Sequence, residues 1–597
     1  MQGFYEDSVI QKLQIKTLLD LALVVPKSYE DRTLATTLVY GSMQTFYVKV
    51  LSHQKQKQHL KISFYLLDIG QKIDAVLFHP KPFHYKLFAV GSELFIMAKV
   101  TLFNGIFQLT QPKAVTAVGA IEPIYKEPKV KQLSLKAVIK RYITYENLKN
   151  TLLTQNEIDQ IIDIHFPKRV INFEDSSVHR CLKTVEALNH MQKLQNKRVS
   201  YPSLSKLNAD IKTFIQKLPF TLTDAQKKVI NDITADLNSE KAAKRMVVGD
   251  VGSGKTITIL AAAALAYPHK TVLMAPTSIL AKQLFDEAVK YLDFPIAFVS
   301  SAQSIGDYKQ DSFVIGTHAL LYKDDLPKPH LVMVDEQHRF GVKQRHTLNT
   351  FAQTKGKRPH FLQFSATPIP RTQAMIDSNM IDISLITTTP FKKDIDTKVI
   401  RKNDFSNLLQ HIENQIAQNR QIFIIYPLVN ESENFNYQSI DEGKDFWLER
   451  FDNVYITHGQ DKQKQEVLQE FKDKGDILLA TTVVEVGISL PRLSTIVIVG
   501  AENLGLASLH QLRGRVSRTG IKGYCYLFTK TEKNERLDMF CKTISGFDIA
   551  KIDLKFRKGG DMIDGKVQSG AQFRWLDMAE DEDIIKKVKE RIDLCKE

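Results

Sequence analysis

The chain has 597 residues, 43% hydrophobic and 25% charged, with 81 Lys and Arg against 67 Asp and Glu, a formal net charge of +14. A chain this long exceeds one hydrophobic core, so several domains are expected, and its balance of apolar and charged residues excludes a disordered or a membrane-embedded class. The basic excess points to a polyanionic partner, because clustered Lys and Arg neutralise phosphates and release counterions, although charge alone does not identify that partner. No run of about eighteen apolar residues occurs, and the start, Met1-Gln2-Gly3-Phe4-Tyr5-Glu6-Asp7, lacks a basic, apolar signal pattern, so a soluble cytoplasmic protein is expected. Cys181, Cys525, Cys541 and Cys595 are far apart and form no C-x-x-C pair, which argues against zinc and against a redox motif.

Residues 1–35 read as short helices, with Leu13, Thr17, Leu18 and Leu21 at helical spacing before Pro26. The period then changes. Residues 36–118 carry five β-rich runs, near Thr45–Val50, Ile62–Leu67, Asp74–Phe78, Leu94–Ala98 and Phe107–Thr110, separated by Asp68, Gly70, Gly91, Asn104 and Gly105. Five short strands point to a small closed barrel of the oligonucleotide-binding (OB) type. Within it, the stretch Phe78-His79-Pro80-Lys81-Pro82-Phe83-His84-Tyr85-Lys86 interleaves aromatics with basic residues. That pattern suits a base-stacking surface, and equally a loop whose aromatics pack on the barrel. Residues 119–217 read as a helical linker, a spacer with connections near Pro123, Pro128 and Pro167. Strand-loop-helix units follow in two sets, 218–390 and 391–535, and residues 536–597 close the chain.

Gly249-Asp250-Val251-Gly252-Ser253-Gly254-Lys255-Thr256 follows an apolar strand end and precedes an apolar helix, Ile257 to Ala266. This is a P-loop: its glycines let backbone N–H groups close around phosphates, Lys255 reaches the β/γ-phosphates and Thr256 holds Mg²⁺. Such a loop needs an acidic partner on a neighbouring strand. Val332-Met333-Val334-Asp335-Glu336 supplies it, with Asp335 for the metal ion and Glu336 to polarise an attacking water.

With these two motifs in order, residues 218–535 resemble the two-lobed superfamily 2 helicases and translocases. The resemblance implies two RecA-like lobes, and it assigns Gln226, within Phe220-Thr221-Leu222-Thr223-Asp224-Ala225-Gln226, to adenine recognition and hence to ATP. Gly249, Gly252, Ser253 and Gly254 would line the phosphates, and Gly487, in the motif V-like stretch Ala480–Ser489, would join them at the nucleotide. Thr277 in Ala275-Pro276-Thr277 and Thr317 in Gly316-Thr317-His318 would hold the nucleic-acid backbone. Ser365 and Thr367, in Ser365-Ala366-Thr367-Pro368, together with Gln511 would couple hydrolysis to movement. Gln511-Leu512-Arg513-Gly514-Arg515-Val516-Ser517-Arg518 resembles motif VI; if helical, Arg515 and Arg518 share one face, where their guanidinium forks suit γ-phosphate charge in the transition state.

Longer strings narrow the resemblance to the RecG family of bacterial ATP-dependent DNA helicases, which remodel branched DNA. They are Asp335-Glu336-Gln337-His338-Arg339-Phe340-Gly341-Val342, Ser365-Ala366-Thr367-Pro368-Ile369-Pro370-Arg371-Thr372 and Tyr426-Pro427-Leu428-Val429-Asn430-Glu431-Ser432-Glu433. The barrel then takes the place of the family's strand-splitting wedge domain, with Phe78 and Phe83 as stacking aromatics. Gly546-Phe547-Asp548-Ile549-Ala550, Asp553-Leu554-Lys555-Phe556-Arg557 and Gln568-Ser569-Gly570 resemble the family's translocation motif, a helical hairpin and loop in which Arg557 meets the duplex. Here the chain departs from the pattern: Arg557-Lys558-Gly559-Gly560 stands where Arg-Gly-Pro-Gly is usual. An amino-terminal extension found in many relatives is expected to be absent or short.

The resemblance thus implies a double-stranded DNA translocase using ATP and Mg²⁺. Its expected work is fork reversal, Holliday junction branch migration and R-loop or D-loop unwinding in recombination and repair. Branched DNA is the expected partner, with a single-strand-binding protein among the protein partners, a monomer as the working unit, the bacterial nucleoid as its place, and neither membrane nor zinc. Transcription-repair coupling factors share similar motor motifs but carry further modules for which the chain has no room. Replication-restart helicases carry zinc-binding cysteine clusters that these four cysteines do not form, and a non-catalytic branched-DNA binder is disfavoured by intact Lys255, Asp335, Glu336, Arg515 and Arg518.

Overall fold

The computed structural model describes residues 3–56, 59–301, 303–336, 339–340, 344, 347, 356–367, 369–390, 394–429, 437–459, 461–481, 490–517, 520–564 and 573–595, with side chains for all of these except 557–564. They divide into two compact units, 1–190 with 572–577 and 587–597, and 191–571 with 578–586. Among the described residues no helix is long and apolar enough to cross a membrane.

In the first unit, β1 (Ser28–Asp31) precedes five strands, β2 (Met43–Lys55), β3 (His59–Leu66), β4 (Gln71–Phe78), β5 (Glu93–Phe103) and β6 (Ile106–Val115), and β7 (Ile121–Ile124) follows them. Strands β2 to β6 close into a barrel in the order β2-β3-β4-β6-β5. Alternation along each strand turns Val48, Val50, Ile62, Phe64, Ala75, Leu77, Ile96 and Ala98 into a buried interior, which Phe88 plugs from just beyond the short helix Pro82–Leu87. Irregularities at Val50/Ser52 and Met97/Lys99 add the local bend that closure needs.

Two expectations for the flanking regions need correction. The sequence leads one to expect helix on both sides of the barrel, yet β1 and β7 pair antiparallel, with Ser28 opposite Ile124. Four-residue strands whose partner lies far along the chain leave no readable period. Nor are residues 119–190 a spacer. Their helices Gln132–Tyr142, Gln155–His165 and Ser176–Asn196 form a body to which both ends of the chain attach. Near the amino terminus, Thr17 Oγ1 donates to Asn189 Oδ1 at 2.7 Å and Asn189 Nδ2 donates to Asp20 Oδ1 at 2.7 Å. Near the carboxyl terminus, Arg591 donates to Glu157 at 2.8 Å and to the Leu152 carbonyl at 2.9 Å. The Glu186 carboxylate accepts three successive backbone N–H groups, from Arg574, Trp575 and Leu576, at 2.7, 2.8 and 2.8 Å.

The second unit holds two sheets. The first contains β8 (Lys244–Gly249), β9 (Thr271–Met274), β10 (Ile296–Val299), β11 (Ser304–Ile305), β12 (Phe313–Gly316), β13 (Leu331–Asp335), β14 (His360–Ser365) and β15 (Asp382–Ile386), ordered β11-β10-β12-β9-β13-β14-β8-β15. The second contains β16 (Ile395–Ile400), β17 (Gln421–Tyr426), β18 (Val454–Thr457), β19 (Ile477–Thr481), β20 (Leu493–Val499) and β21 (Gly523–Phe528), ordered β16-β21-β20-β17-β19-β18. Every pairing is parallel except the β10–β11 edge. Helices cover both faces, so central strands such as β9 and β13 are buried along their whole length and read as unbroken apolar runs. A parallel sheet gathers its strand-to-helix loops at the carboxyl ends of the strands, and functional loops collect there.

The Glu186 clamp has a measurable consequence. Glu186→Ala removes one charged acceptor from three amides, and amide exchange at Arg574, Trp575 and Leu576 should then accelerate by about tenfold or more while the barrel strands keep wild-type protection. Hydrogen-exchange mass spectrometry checks this.

Candidate active site

Strand β8 runs into the P-loop, and the loop ends at the helix Lys255–Ala266, nearly every residue of which is buried. The turn depends on Gly254, which caps that helix at φ +81°, and a β-carbon there would strike the Gln226 amide. Lys255 Nζ donates to the carbonyls of Gly249 at 2.8 Å and Asp250 at 3.0 Å, so its ammonium lies folded over the loop that it closes. Ser253 is fully buried and Thr256 half-buried beside it.

Asp335 ends β13, two strands from β8, and is 8% exposed. Burial raises its pKa above the usual carboxylate range, the adjacent Glu336 charge raises it further, and the Lys255 ammonium opposes both. Its Oδ1 is buried with no hydrogen-bond partner among the described residues. A desolvated, unsatisfied carboxylate oxygen within the field of the Lys255 ammonium fits a divalent cation, whose charge would offset the penalty of burying the anion. Glu336 sits at φ +50°, and its Oε1 accepts from Ala366 N at 2.8 Å while its own N–H donates to the Phe364 carbonyl at 2.8 Å. The Asp335-Glu336 pair is therefore fastened to the segment that follows β14 and carries Ser365 and Thr367.

The coupling residues come together. Thr367 N donates to Ser365 Oγ at 3.1 Å, and Gln511 Nε2 donates to Thr367 Oγ1 at 2.9 Å. Gln511 Oε1 in turn accepts from Arg339 NH2 at 2.9 Å. One amide of the second lobe thus holds two segments of the first, and Arg339 is a participant that no spacing rule singles out. Three further participants were also missed: Asp250, His510 and Arg513. His510 Nε2 lies 2.5 Å from Asp250 Oδ1, 260 residues away in sequence. Contacts over such separations leave no local signal. Burial lowers the Arg513 pKa, and its guanidinium lies 4.2 Å from the centre of the Phe540 ring.

Several expected roles look different in place. Gln226 is 1% exposed; its Oε1 accepts from Thr223 N at 2.9 Å in a capping box, and its Nε2 donates to the Ser253 carbonyl at 3.0 Å. Each end of the amide is engaged once within the protein, which fixes its orientation and leaves one lone pair and one N–H of its capacity for adenine. Thr277 and Thr317 use their hydroxyls as N-caps, of the helix Ser278–Tyr291 and the short 3₁₀ helix His318–Tyr322. Such a cap uses an oxygen lone pair, so both the hydroxyl hydrogen and backbone N–H groups at the helix start can donate to a phosphate. Arg515 is half-buried, but the helix Leu506–Arg513 ends before it and Gly514 is its C-cap, so the shared helical face expected for Arg515 and Arg518 is corrected: Arg515 lies in a turn. Arg518 and Gly487 lie outside the described residues, as do the motif V residues 482–489. Position 557 falls within the helix Gly546–Asp564, in which no proline interrupts the run through Gly559 and Gly560, and the Arg557 side chain lies outside the described residues.

On the barrel, the aromatic stretch divides. Tyr85 packs against the barrel core, whereas Phe78 and Phe83 are 46% and 56% exposed. The packing alternative holds for Tyr85, and Phe78 and Phe83 are left exposed for stacking.

Two family models match the chain: DEAD/DEAH box helicase over residues 223–376 and helicase conserved C-terminal domain over residues 403–520. The ATP-dependent DNA helicase RecG of Helicobacter pylori is 44% identical over 606 residues, covering 98% of this chain and 97% of its own. That of Aquifex aeolicus is 33% identical, covering 96% and 81%. A solved structure described as RecG bound to a three-way DNA junction is similar with a TM-score of 0.55 and 27% identity, covering 99% of this chain and 85% of that one.

Asp335 generates a test in which stability and activity move apart. A carboxyl whose folded pKa is raised binds its proton more tightly in the folded state, so ionisation progressively destabilises the fold as pH rises through the window above the ordinary carboxylate range. Asp335→Asn should therefore raise the melting temperature of the nucleotide-free, metal-free protein by about 2–4 °C at about pH 8, with the gain shrinking toward about pH 5. The same variant should lose about a hundredfold or more of DNA-stimulated ATP hydrolysis. Differential scanning fluorimetry and a coupled ATPase assay read the two effects.

Proposed function

The chain belongs to the RecG family of ATP-dependent DNA helicases, and on that premise we propose that it is a double-stranded DNA translocase that draws a branched substrate through its motor and strips the daughter strands on its barrel. The observation that carries this reading is the Thr367–Gln511–Arg339 bridge, by which one residue of the second lobe is bonded to two segments leading from the nucleotide site of the first. A triphosphate that draws the second lobe inward acts on the same bridge. The RecG relative bound to a three-way junction supports branched DNA as the substrate class. Fork reversal, Holliday junction branch migration and R-loop or D-loop unwinding are the reactions such a motor performs on such substrates.

In this reading Lys255 leaves the Gly249 and Asp250 carbonyls for the β/γ-phosphates, and backbone N–H groups from Gly252 to Thr256 close around them. Thr256 and Asp335 would hold Mg²⁺, which when bound supplies Lewis-acid neutralisation of phosphate charge. Glu336, held in place by Ala366 N, accepts the proton of the attacking water. Arg515, from the second lobe, meets the charge that develops on the γ-phosphate, so that hydrolysis depends on closure of the lobes; Arg518 is assigned the same role by motif alone. Phe78 and Phe83 stack on bases at the fork, in keeping with their exposure. Nucleoid association, action as a monomer and a single-strand-binding protein as partner belong to the same proposal.

Lys255→Ala should abolish DNA-stimulated hydrolysis while fork affinity stays within about threefold of wild type, because phosphate-backbone contacts dominate binding. Wild-type hydrolysis should be stimulated more by a model fork than by single strand. A preference for single strand would overturn the branched-DNA reading and leave the motor intact.

A further inference from the structure

A hydrogen-bond network links the P-loop to the last long helix of the second unit, and none of the expected functional residues belongs to it. Asp250 uses both carboxylate oxygens: Oδ1 accepts from Val251 N at 2.6 Å and from His510 at 2.5 Å, and Oδ2 accepts from Gly546 N at 2.8 Å. Chemistry fixes the imidazole proton. Arg513 NH2 lies 3.2 Å from His510 Nδ1, and because a guanidinium only donates, Nδ1 presents its lone pair and Nε2 carries the hydrogen that Asp250 accepts. Arg513 also donates to the carbonyls of Phe540 at 3.1 Å and Ile544 at 3.4 Å. The connector 543–545, between the helices Glu535–Lys542 and Gly546–Asp564, is therefore gripped at both ends by groups that trace back to one P-loop carboxylate.

The peptide unit between Asp250 and Val251 also touches the P-loop lysine. The Asp250 carbonyl accepts from Lys255 Nζ at 3.0 Å, and the Val251 N–H of that planar unit is the one its own carboxylate holds. If Lys255 turns toward a phosphate, the unit loses the bond on one edge, and any rotation that follows shifts the carboxylate on the other. We propose that Asp250 and His510 are a positioning pair that transmits the state of the P-loop directly to the start of the helix Gly546–Asp564, along a route separate from the arginines that meet the phosphates. The pair deepens the reading of the chain as an ATP-driven duplex translocase and rests on it. Its consequence is that hydrolysis and movement are joined twice, through Gln511 and through Asp250, and the second joint can be cut without touching the first.

Two variants cut it. His510→Ala removes the donor to Asp250 and the acceptor from Arg513. Gly546→Ala would bring a β-carbon to 2.9 Å from both Asp250 Oδ1 and His510 Nε2, displacing two side-chain ends without removing any polar group. The experiment measures ATP hydrolysis on linear duplex beside displacement of a third strand from the same duplex, and takes the ratio of strand displaced to ATP consumed. In both variants the ratio should fall by about three- to thirtyfold, with kcat and KM for ATP within about twofold of wild type. His510→Gln, whose amide N–H can reach the carboxylate, should recover most of the loss. An unchanged ratio in both variants overturns the proposal, and so does a parallel loss of hydrolysis and displacement, which marks a purely structural contact. Absence of displacement by the wild-type protein would overturn the translocase reading itself, and is distinguishable because it requires no variant.

Discussion

A carboxyl that must be both buried and available sets the terms for the motor. Asp335 ends a wholly buried strand, with Glu336 next to it and the Lys255 ammonium as the opposing charge, and desolvation works against its ionised form. Such a group is tolerated only where the surroundings hold it rigidly. The parallel sheet does so by pairing β13 with β9 and β14 on either side, and Ala366 N fastens the neighbouring Glu336. The site is thus a place where the fold accepts local cost for chemistry, and the apolar helix Lys255–Ala266 and the covered sheet supply the offsetting burial.

From that constraint follows the way the two sheets communicate. Neutral and charge-assisted hydrogen bonds hold the lobes in register: Gln511 to Thr367 and Arg339, and His510 to Asp250. Such bonds have a modest net worth, about 1 kcal/mol for the neutral one and about 1.5–3 kcal/mol for those to charged groups, which suits the proposed closing and reopening of the lobes. A large apolar interface would resist that motion. Arg513 differs from these, a buried cation over the Phe540 ring within the second lobe.

The barrel poses a different problem, since the strand-splitting role proposed for it calls for exposed aromatics on a rigid body. Closure of five strands around Phe64, Phe88 and their neighbours provides the rigidity and leaves Phe78 and Phe83 outside. Behind it, the helices of 119–190 tie down both ends of the chain through Asn189, Glu186 and Glu157. A region whose composition reads as a connector is in fact a structural hub.

By itself the sequence determined the elements whose signals are local. Strand-then-glycine-then-lysine marks the P-loop, an apolar run into two acids marks Asp335 and Glu336, period-two runs mark the barrel strands, and the order of short strings marks the family, because each depends on neighbours within a few residues. Tertiary structure alone decided what depends on distant partners. It engaged both ends of the Gln226 amide, oriented the hydroxyls of Thr277 and Thr317 as caps, ended a helix at Arg513 so that Arg515 lies in a turn, paired β1 with β7, and set Asp250 against His510 and Gly546. The physical reason is the same throughout: a side chain's hydrogen-bonding capacity is written in its residue type, whereas the partner that consumes it is chosen only when the chain folds.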